Sequence, residues 1–268
     1  MKSYILYHFV FRMDVVVASS RGFELEEGLK KEFKDIFPPG TLIKAITGGK
    51  LKHLTPLAKE LTPSYTHSKR PHIYFVCGVP DISEIVRSPN KTHYFYKEVI
   101  YVEEPEKTIE RVKELLDTTQ RDIIKHGALP VFSTIPQFNI EIYNNHMLTC
   151  KKPKTKHLHH TKTDYDTMQK NLMQSIDQIN GYISHINKKV GASTPFLHDT
   201  VKESRARKGS KYYAYKWKRY RDGLHAGEYL TKTWAQVLSN TMRINRAKED
   251  SDDEGSPKRA WKKTRFDI

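Results

Sequence analysis

Residues 13–22 read Met13-Asp14-Val15-Val16-Val17-Ala18-Ser19-Ser20-Arg21-Gly22. The run to Ala18 is β-branched and apolar with no polar alternation, the pattern of a strand buried on both faces of a parallel sheet. It breaks at Ser19-Ser20-Arg21-Gly22, after which Phe23, Leu25, Leu29, Phe33 and Ile36, interleaved with Glu and Lys, predict an amphipathic helix ending at Pro38-Pro39-Gly40. Open α/β sheets place their chemistry at such strand-turn-helix junctions, at the carboxyl ends of the strands. A serine in the turn also has the N–H groups of the helix start nearby.

The same unit repeats outward along the chain. Leu42 to Ile46 reads as a second strand, followed by Thr47-Gly48-Gly49-Lys50 and a helix carrying Leu51, Leu54, Leu57 and Leu61. His72 to Cys77 is a third strand, running into Gly78-Val79-Pro80-Asp81-Ile82. Leu129 to Ile135 and Thr194 to Leu197 supply a fourth and a fifth. Long amphipathic helices are predicted from Pro105 to Lys125 and from Asp166 to Lys189, the second with a stripe of Met168, Leu172, Met173, Ile176, Ile179, Ile183 and Ile186. Strands alternating with helices predict a doubly wound, three-layer α/β/α fold with a central parallel sheet of about five strands. Tyr94 to Val102 is an extra strand or a substrate-side loop, and Gln137 to Asn145 reads as a loop near the site. Residues 1–12 form an N-terminal extension, 13–246 the domain, and 247–268 a charged tail predicted to be disordered.

The chain has 268 residues, 37% of them hydrophobic, and a net charge of +15. The length allows one large α/β domain with appendages or two small domains, the second figure supports a real core, and the third favours an anionic partner such as nucleic acid. Two cysteines, Cys77 and Cys150, build neither a disulfide framework nor a zinc site and fit a reducing compartment. No stretch approaches the roughly 18 apolar residues of a membrane span. Tyr4 to Phe11 is interrupted by His8 and is read as retained rather than as a signal core, so an intracellular protein is expected. In the tail, Lys258-Arg259 with Lys262, Lys263 and Arg265 resembles a nuclear localisation cluster, and Ser251 before Asp252-Asp253-Glu254 suits an acidophilic kinase.

Two stretches carry candidate chemistry. In Asp222-Gly223-Leu224-His225, the spacing lets a tight turn bring carboxylate to imidazole, which is how a histidine becomes a general base. Leu230, Trp234, Val237, Leu238 and Met242 behind it predict a core-anchored helix. The stretch from Val201 to Arg221 is basic and aromatic. Arg205, Arg207, Lys208, Lys211, Lys216, Lys218 and Arg219 suit phosphates, and Tyr213, Tyr215 and Trp217 suit stacking on the bases of single-stranded RNA or DNA. Equally, the rings pack beneath the last helix while the cations face water. His157, His159 and His160 lack acidic or cysteine partners at ligand spacing and read as a solvated loop, not a metal site.

Taken in order, Val16-Val17-Ala18-Ser19-Ser20-Arg21-Gly22, Gly48-Gly49, Gly78-Val79-Pro80-Asp81 and Asp222-Gly223-Leu224-His225 resemble the blocks of SGNH (GDSL-type) hydrolases, and more particularly the divergent domains found in retroelement and viral open reading frames. The resemblance spans Met13 to about Ile244. It implies a flavodoxin-like fold and a serine esterase acting on an ester-containing small molecule or acylated substrate, with no metal or organic cofactor. It further implies that Ser20 is the nucleophile, His225 its base and Asp222 the orienting acid, with the N–H groups of Ser20 and Gly49 in the oxyanion hole. Two departures stand out. Ala18 and Ser19 replace the Gly-Asp of the first block, and Pro80 occupies the position of the family's oxyanion asparagine. Proline has neither a side-chain donor nor an N–H, and losing one such donor typically costs about 10²- to 10³-fold in turnover. The departures imply slow turnover, a substitute donor, or a retired enzyme.

Overall fold

A computed structural model describes residues 14–31, 35–62, 70–87, 97–101, 103–150, 161–207 and 210–254. Its elements in chain order are β1 (Asp14–Ala18), α1 (Phe23–Lys31), β2 (Thr41–Ala45), α2 (Leu51–Leu61), β3 (His72–Val76), the single turn α3 (Val79–Ile82), β4 (Glu84–Arg87) and β5 (Lys97–Ile100). Then come α4 (Pro105–Lys125), β6 (Leu129–Phe132), α5 (Ile140–Cys150), α6 (Lys162–Lys189), β7 (Lys202–Arg207), β8 (Ser210–Tyr215) and α7 (Glu228–Glu254). The central sheet is parallel with the order β2-β1-β3-β6, in which Val15 lies opposite Leu42 on one side and Ile73 on the other.

Every residue of β1 and β3 is buried, as the unbroken apolar runs require, and the two-residue period divides them between two cores. Val15, Val17, Ile73 and Phe75 pack with Leu51 and Leu54 of α2, Val112 and Leu116 of α4, and Ile176 and Ile183 of α6. Val16, Ala18, Tyr74 and Val76 face Leu25 of α1 and Leu230, Trp234, Leu238 and Met242 of α7. Helices therefore cover both faces, giving the three-layer α/β/α architecture, and each fully buried large side chain contributes roughly 1.5–3 kcal/mol.

Among the described residues the parallel sheet has four strands, where about five were expected. Thr194 to Leu197 runs beside β6 but makes no ladder: the Thr134 N–H donates to Pro195 O (3.0 Å), and Pro195 has no N–H to return a bond. The open edge is closed instead by side-chain amides from α6. Asn187 accepts from Phe132 N–H (3.0 Å) and donates to Phe132 O (2.7 Å), while Asn180 does the same for Ile135 (2.6 and 2.9 Å). Seven residues apart, the two amides lie on one helix face and stand in for a strand. Asn144 of α5 pairs with both backbone groups of Val99 in β5 in the same way (2.9 and 2.8 Å). Asn180→Ala leaves a buried N–H and C=O of Ile135 unpaired and is expected to cost about 2–4 kcal/mol, read as a lowered urea midpoint.

Tyr94 to Val102 contributes β5, which pairs antiparallel with β4. The expected loop at 137–145 turns helical at Ile140, and the basic stretch after Val201 folds as the antiparallel hairpin β7-β8. The helical run does not break at 247, because the end of α7 is tied to the sheet. Asn245 donates to the Tyr74 hydroxyl (3.2 Å), Arg246 pairs with the buried Asp14 (2.8 Å), and Lys248 donates to the Ser193 hydroxyl (2.9 Å). Residues 1–12 and the basic cluster at 258–265 lie outside the described residues. Among the described residues no helix is long and apolar enough to cross a membrane.

Candidate active site

The chain leaves β1 through Ser19, whose N–H donates to Val76 O (3.0 Å), and closes a 3-10 turn over Ser20–Gly22 before α1. Gly22 is required there because a Cβ on it would lie 2.1 Å from the Ala18 Cβ. Ser19 is buried at 1% exposure, whereas Ser20 is only half-buried, so Ser20 is the hydroxyl presented at the sheet's carboxyl end. Among the described residues neither the Ser20 hydroxyl nor its N–H has a hydrogen-bond partner.

Asp222 and His225 meet in a short loop closed by the Tyr220–Ala226 bridge and by Arg221 N–H to His225 O (2.8 Å). One Asp222 oxygen, Oδ1, accepts from the N–H groups of Leu224 (3.0 Å) and His225 (2.6 Å). The other, Oδ2, lies 2.7 Å from His225 Nδ1. Gly223 sits at φ 86° and its carbonyl accepts from Asn139 N–H (3.0 Å). A Cβ there would come within 2.8 Å of Ile142 and Tyr143, so the loop is pressed onto α5. Burial alone would raise the Asp222 carboxyl, but the bonds from the His225 ring and backbone and from Leu224 outweigh it and bring it down to about 2. An ionised Asp222 assigns the proton to Nδ1 and leaves Nε2 as the acceptor. The pair precedes α7 by three residues rather than riding on it.

No hydrogen bond joins Ser20 to His225 among the described residues. Their neighbours do touch: Glu24 of α1 pairs with Arg221 (3.2 Å), and the Arg21 guanidinium lies 5.9 Å from the Tyr220 ring. An open groove of about 690 Å³ runs between α1 and this loop, lined by Glu24, Glu27, Lys218, Arg219, Arg221 and Tyr229 among others, and it reaches Ala226 beside His225.

The expected oxyanion donor Gly49 is otherwise engaged. With Gly48 at φ 63° the turn after β2 closes, and Gly49 N–H donates to Ile46 O (3.1 Å). In the third block, Gly78 at φ 116° caps α3 and Pro80 follows Val79 in its first turn, so no donor is offered from that position. Asp81 is buried, and its carboxylate accepts the Leu51 N–H at the start of α2 (3.2 and 3.3 Å). Desolvation raises its carboxyl to about 6 despite that bond and the nearby Lys50, Arg111 and Lys52. A folded-state value above the usual carboxylate range means the fold loses stability as pH rises from about 4 to 6, by about 3 kcal/mol in all. Asp81→Asn imitates the protonated form and keeps one acceptor. It is expected to raise the urea midpoint at pH 8 and to leave it unchanged at pH 4.

In the basic segment, packing occupies the described rings. Tyr215 stacks on Trp217 (5.0 Å, 21°), Trp217 leans on Tyr220 (6.3 Å), and all three pack against the α7 side of the core. Arg205 and Lys216 both pair with Glu203 (3.1 and 3.7 Å). Arg219 donates to Thr200 O and covers the Tyr229 ring at 4.9 Å, while Lys218 is exposed. Arg207, Lys211 and Tyr213 are placed on the hairpin strands by backbone alone, and Lys208 lies outside the described residues, as do His157, His159 and His160. Among the described residues no group of three His, Cys, Asp or Glu is arranged to hold a metal ion.

No family model and no curated protein matches the chain. Among solved structures, it is similar to a member of the lipolytic protein G-D-S-L family from Veillonella parvula, at 9% identity and TM-score 0.49, covering 86% of this chain and 98% of that one. It is also similar to a proposed acylhydrolase from Bacteroides fragilis, at 12% identity and TM-score 0.48, covering 89% and 88%. A proposed SGNH hydrolase from Slackia heliotrinireducens aligns at 13% identity and TM-score 0.44, covering 86% and 99%.

Proposed function

We propose that the chain is a serine esterase or acyl hydrolase with Ser20 as nucleophile, His225 as general base and Asp222 as the group that orients the base. The observation that carries this reading is the 2.7 Å contact between Asp222 and His225 Nδ1, in a loop whose neighbours touch the Ser20 turn at the carboxyl end of the sheet. His225 Nε2 takes the Ser20 proton as Oγ attacks the ester carbonyl, and returns it to the leaving alkoxide when the ester C–O bond breaks. Water activated by the same nitrogen then cleaves the acyl-enzyme. The Ser20 N–H is the available oxyanion donor; with Gly49 N–H engaged and Pro80 without a donor, turnover is expected to be slow.

The test is to treat the protein with a fluorophosphonate, map the adduct by mass spectrometry, and follow short-chain nitrophenyl ester hydrolysis alongside His225→Ala. The expected result is an adduct on Ser20 with hydrolysis that depends on His225. An unlabelled Ser20 together with equal turnover by both proteins would remove the reading.

A further inference from the structure

The end of α7 is fastened to the amino-terminal end of the sheet, opposite the end at which Ser20 is presented. Asn245 accepts from Ser193 N–H (2.7 Å) and donates to the Tyr74 hydroxyl (3.2 Å). Arg246 Nε donates to the Asp14 carboxylate (2.8 Å), and Glu249 lies 3.3 Å from Nε2 of His72. Asp14 and His72 are the first residues of β1 and β3, and both are buried. Lys248 adds a third anchor, its Nζ donating to Ser193 Oγ (2.9 Å) and Gly191 O (3.4 Å) in the turn after α6.

Ser251 follows this anchored stretch, in the last turn of α7. It is exposed, and its hydroxyl donates to Lys248 O (2.7 Å), a bond that stays within one helical turn and ties nothing else down. In sequence it stands in Glu249-Asp250-Ser251-Asp252-Asp253-Glu254, with acids on both sides and one three positions later. Kinases that favour acidic segments read such carboxylates with clustered cationic side chains. A kinase cleft takes its substrate as an extended segment. A terminal helical turn, whose last carbonyls lack intrahelical partners, is where α7 opens at least cost.

We propose that Ser251 is a phosphorylation site for an acidophilic protein kinase, and that its phosphate unfastens the end of α7 from the sheet. The kinase transfers the γ-phosphoryl group of ATP to Ser251 Oγ. The Oγ–P bond forms as the bond from that phosphorus to ADP breaks, and the hydroxyl proton passes to the base of the kinase. The product carries a charge of about −1.5 to −2 at neutral pH. It stands at the negative end of the α7 dipole, where an anion is unfavourable. It also stands one turn beyond Lys248, the spacing at which opposite charges on a helix meet. Lys248 Nζ therefore turns to the phosphate and leaves Ser193 Oγ and Gly191 O. The turn that frays includes Glu249, so the contact with His72 goes with it. Release stops near Arg246, because Leu238 and Met242 are buried in the core and Arg246 is held by the buried Asp14. Ser20 and His225 take no part, so this site stands or falls apart from the esterase reading.

The test is to incubate the full chain with ATP and casein kinase II, an acidophilic kinase, and to map the phosphate by mass spectrometry. Hydrogen exchange of the backbone amides of 228–254 is then compared with and without the phosphate. The expected result is one phosphate on Ser251, exchange across 248–254 faster by about 5- to 10-fold, and exchange across 228–244 unchanged. Ser251→Ala is expected to take no phosphate in this segment and to exchange within about twofold of the unmodified protein, since the hydroxyl bonds only its own helix. Lys248→Met lacks the third anchor, so it is expected to exchange faster before phosphorylation and to gain less from it. Absence of phosphate from Ser251 after incubation overturns the site. A phosphate on Ser251 that leaves the exchange of 248–254 unchanged overturns the release, and an equal gain in Lys248→Met and wild type overturns the part given to Lys248.

Discussion

Ser20→Ala is expected to abolish fluorophosphonate labelling and to lower ester turnover by about 10³-fold or more, with the fold untouched. The size follows from the chemistry: without Oγ no acyl-enzyme forms, and only the oxyanion donor and substrate binding remain. The preserved stability follows from the structure. The Ser20 hydroxyl is half-buried and has no partner among the described residues, so its removal breaks no bond and opens no cavity. A surface change of that kind stays within about 0.5 kcal/mol. Ser19→Ala is the control, since Ser19 is buried and meets the sheet through its N–H to Val76 O. It is expected to leave turnover within a few-fold of wild type, by the same argument that only Oγ of residue 20 reacts. Equal loss in both variants would mean that the turn, not the hydroxyl, is what activity needs.

The architecture was legible because it is written in local periodicity. Strands such as Val15 to Ala18 and Ile73 to Val76 are buried on both faces and read as unbroken apolar runs, and α4 begins and ends where Pro105 and Lys125 say it should. The contact between Asp222 and His225 is legible for a similar reason: the two are three residues apart, and Gly223 supplies the left-handed turn between them. What depends on distant partners was not legible. Thr194 to Leu197 has strand-like composition, yet Pro195 cannot donate, and the amides of Asn180 and Asn187 close the sheet edge instead. Those asparagines interrupt the apolar stripe of α6 at a seven-residue spacing, a signal visible in the sequence once a helix is asked to cap an edge. The resemblance implies an oxyanion role for the Gly49 N–H, but a glycine at a strand end suits a closed turn just as well, and the bond to Ile46 O distinguishes them. Arg21 gave the least warning. An arginine in a Ser-Arg-Gly turn reads as solvent-facing until the rings of Phe138 and Tyr220, both far along the chain, are seen to lie against it.

Asp222→Asn separates orientation from charge in the same site. Asparagine Oδ1 can still accept from Leu224 and His225 N–H, so the loop keeps its shape. Its amide N–H₂, however, replaces the oxygen now 2.7 Å from His225 Nδ1. Two donors cannot face each other, so the ring proton moves to Nε2 and Nδ1 becomes the acceptor. Nε2 then cannot receive the Ser20 proton, and ester turnover is expected to fall by about 10⁴-fold, as for a base locked in the wrong tautomer. A pH series gives an independent reading of the same residue. The folded-state Asp222 carboxyl is depressed to about 2, below its unfolded value, so its contribution to stability is present above about pH 4 and lost as pH falls through 2. Asp222→Asn is therefore expected to be less stable than wild type by about 2 kcal/mol at pH 7, with the two converging near pH 2. A constant gap across that range would show that the carboxylate is not held by the imidazole in solution, and the orienting role assigned to it would go with that result.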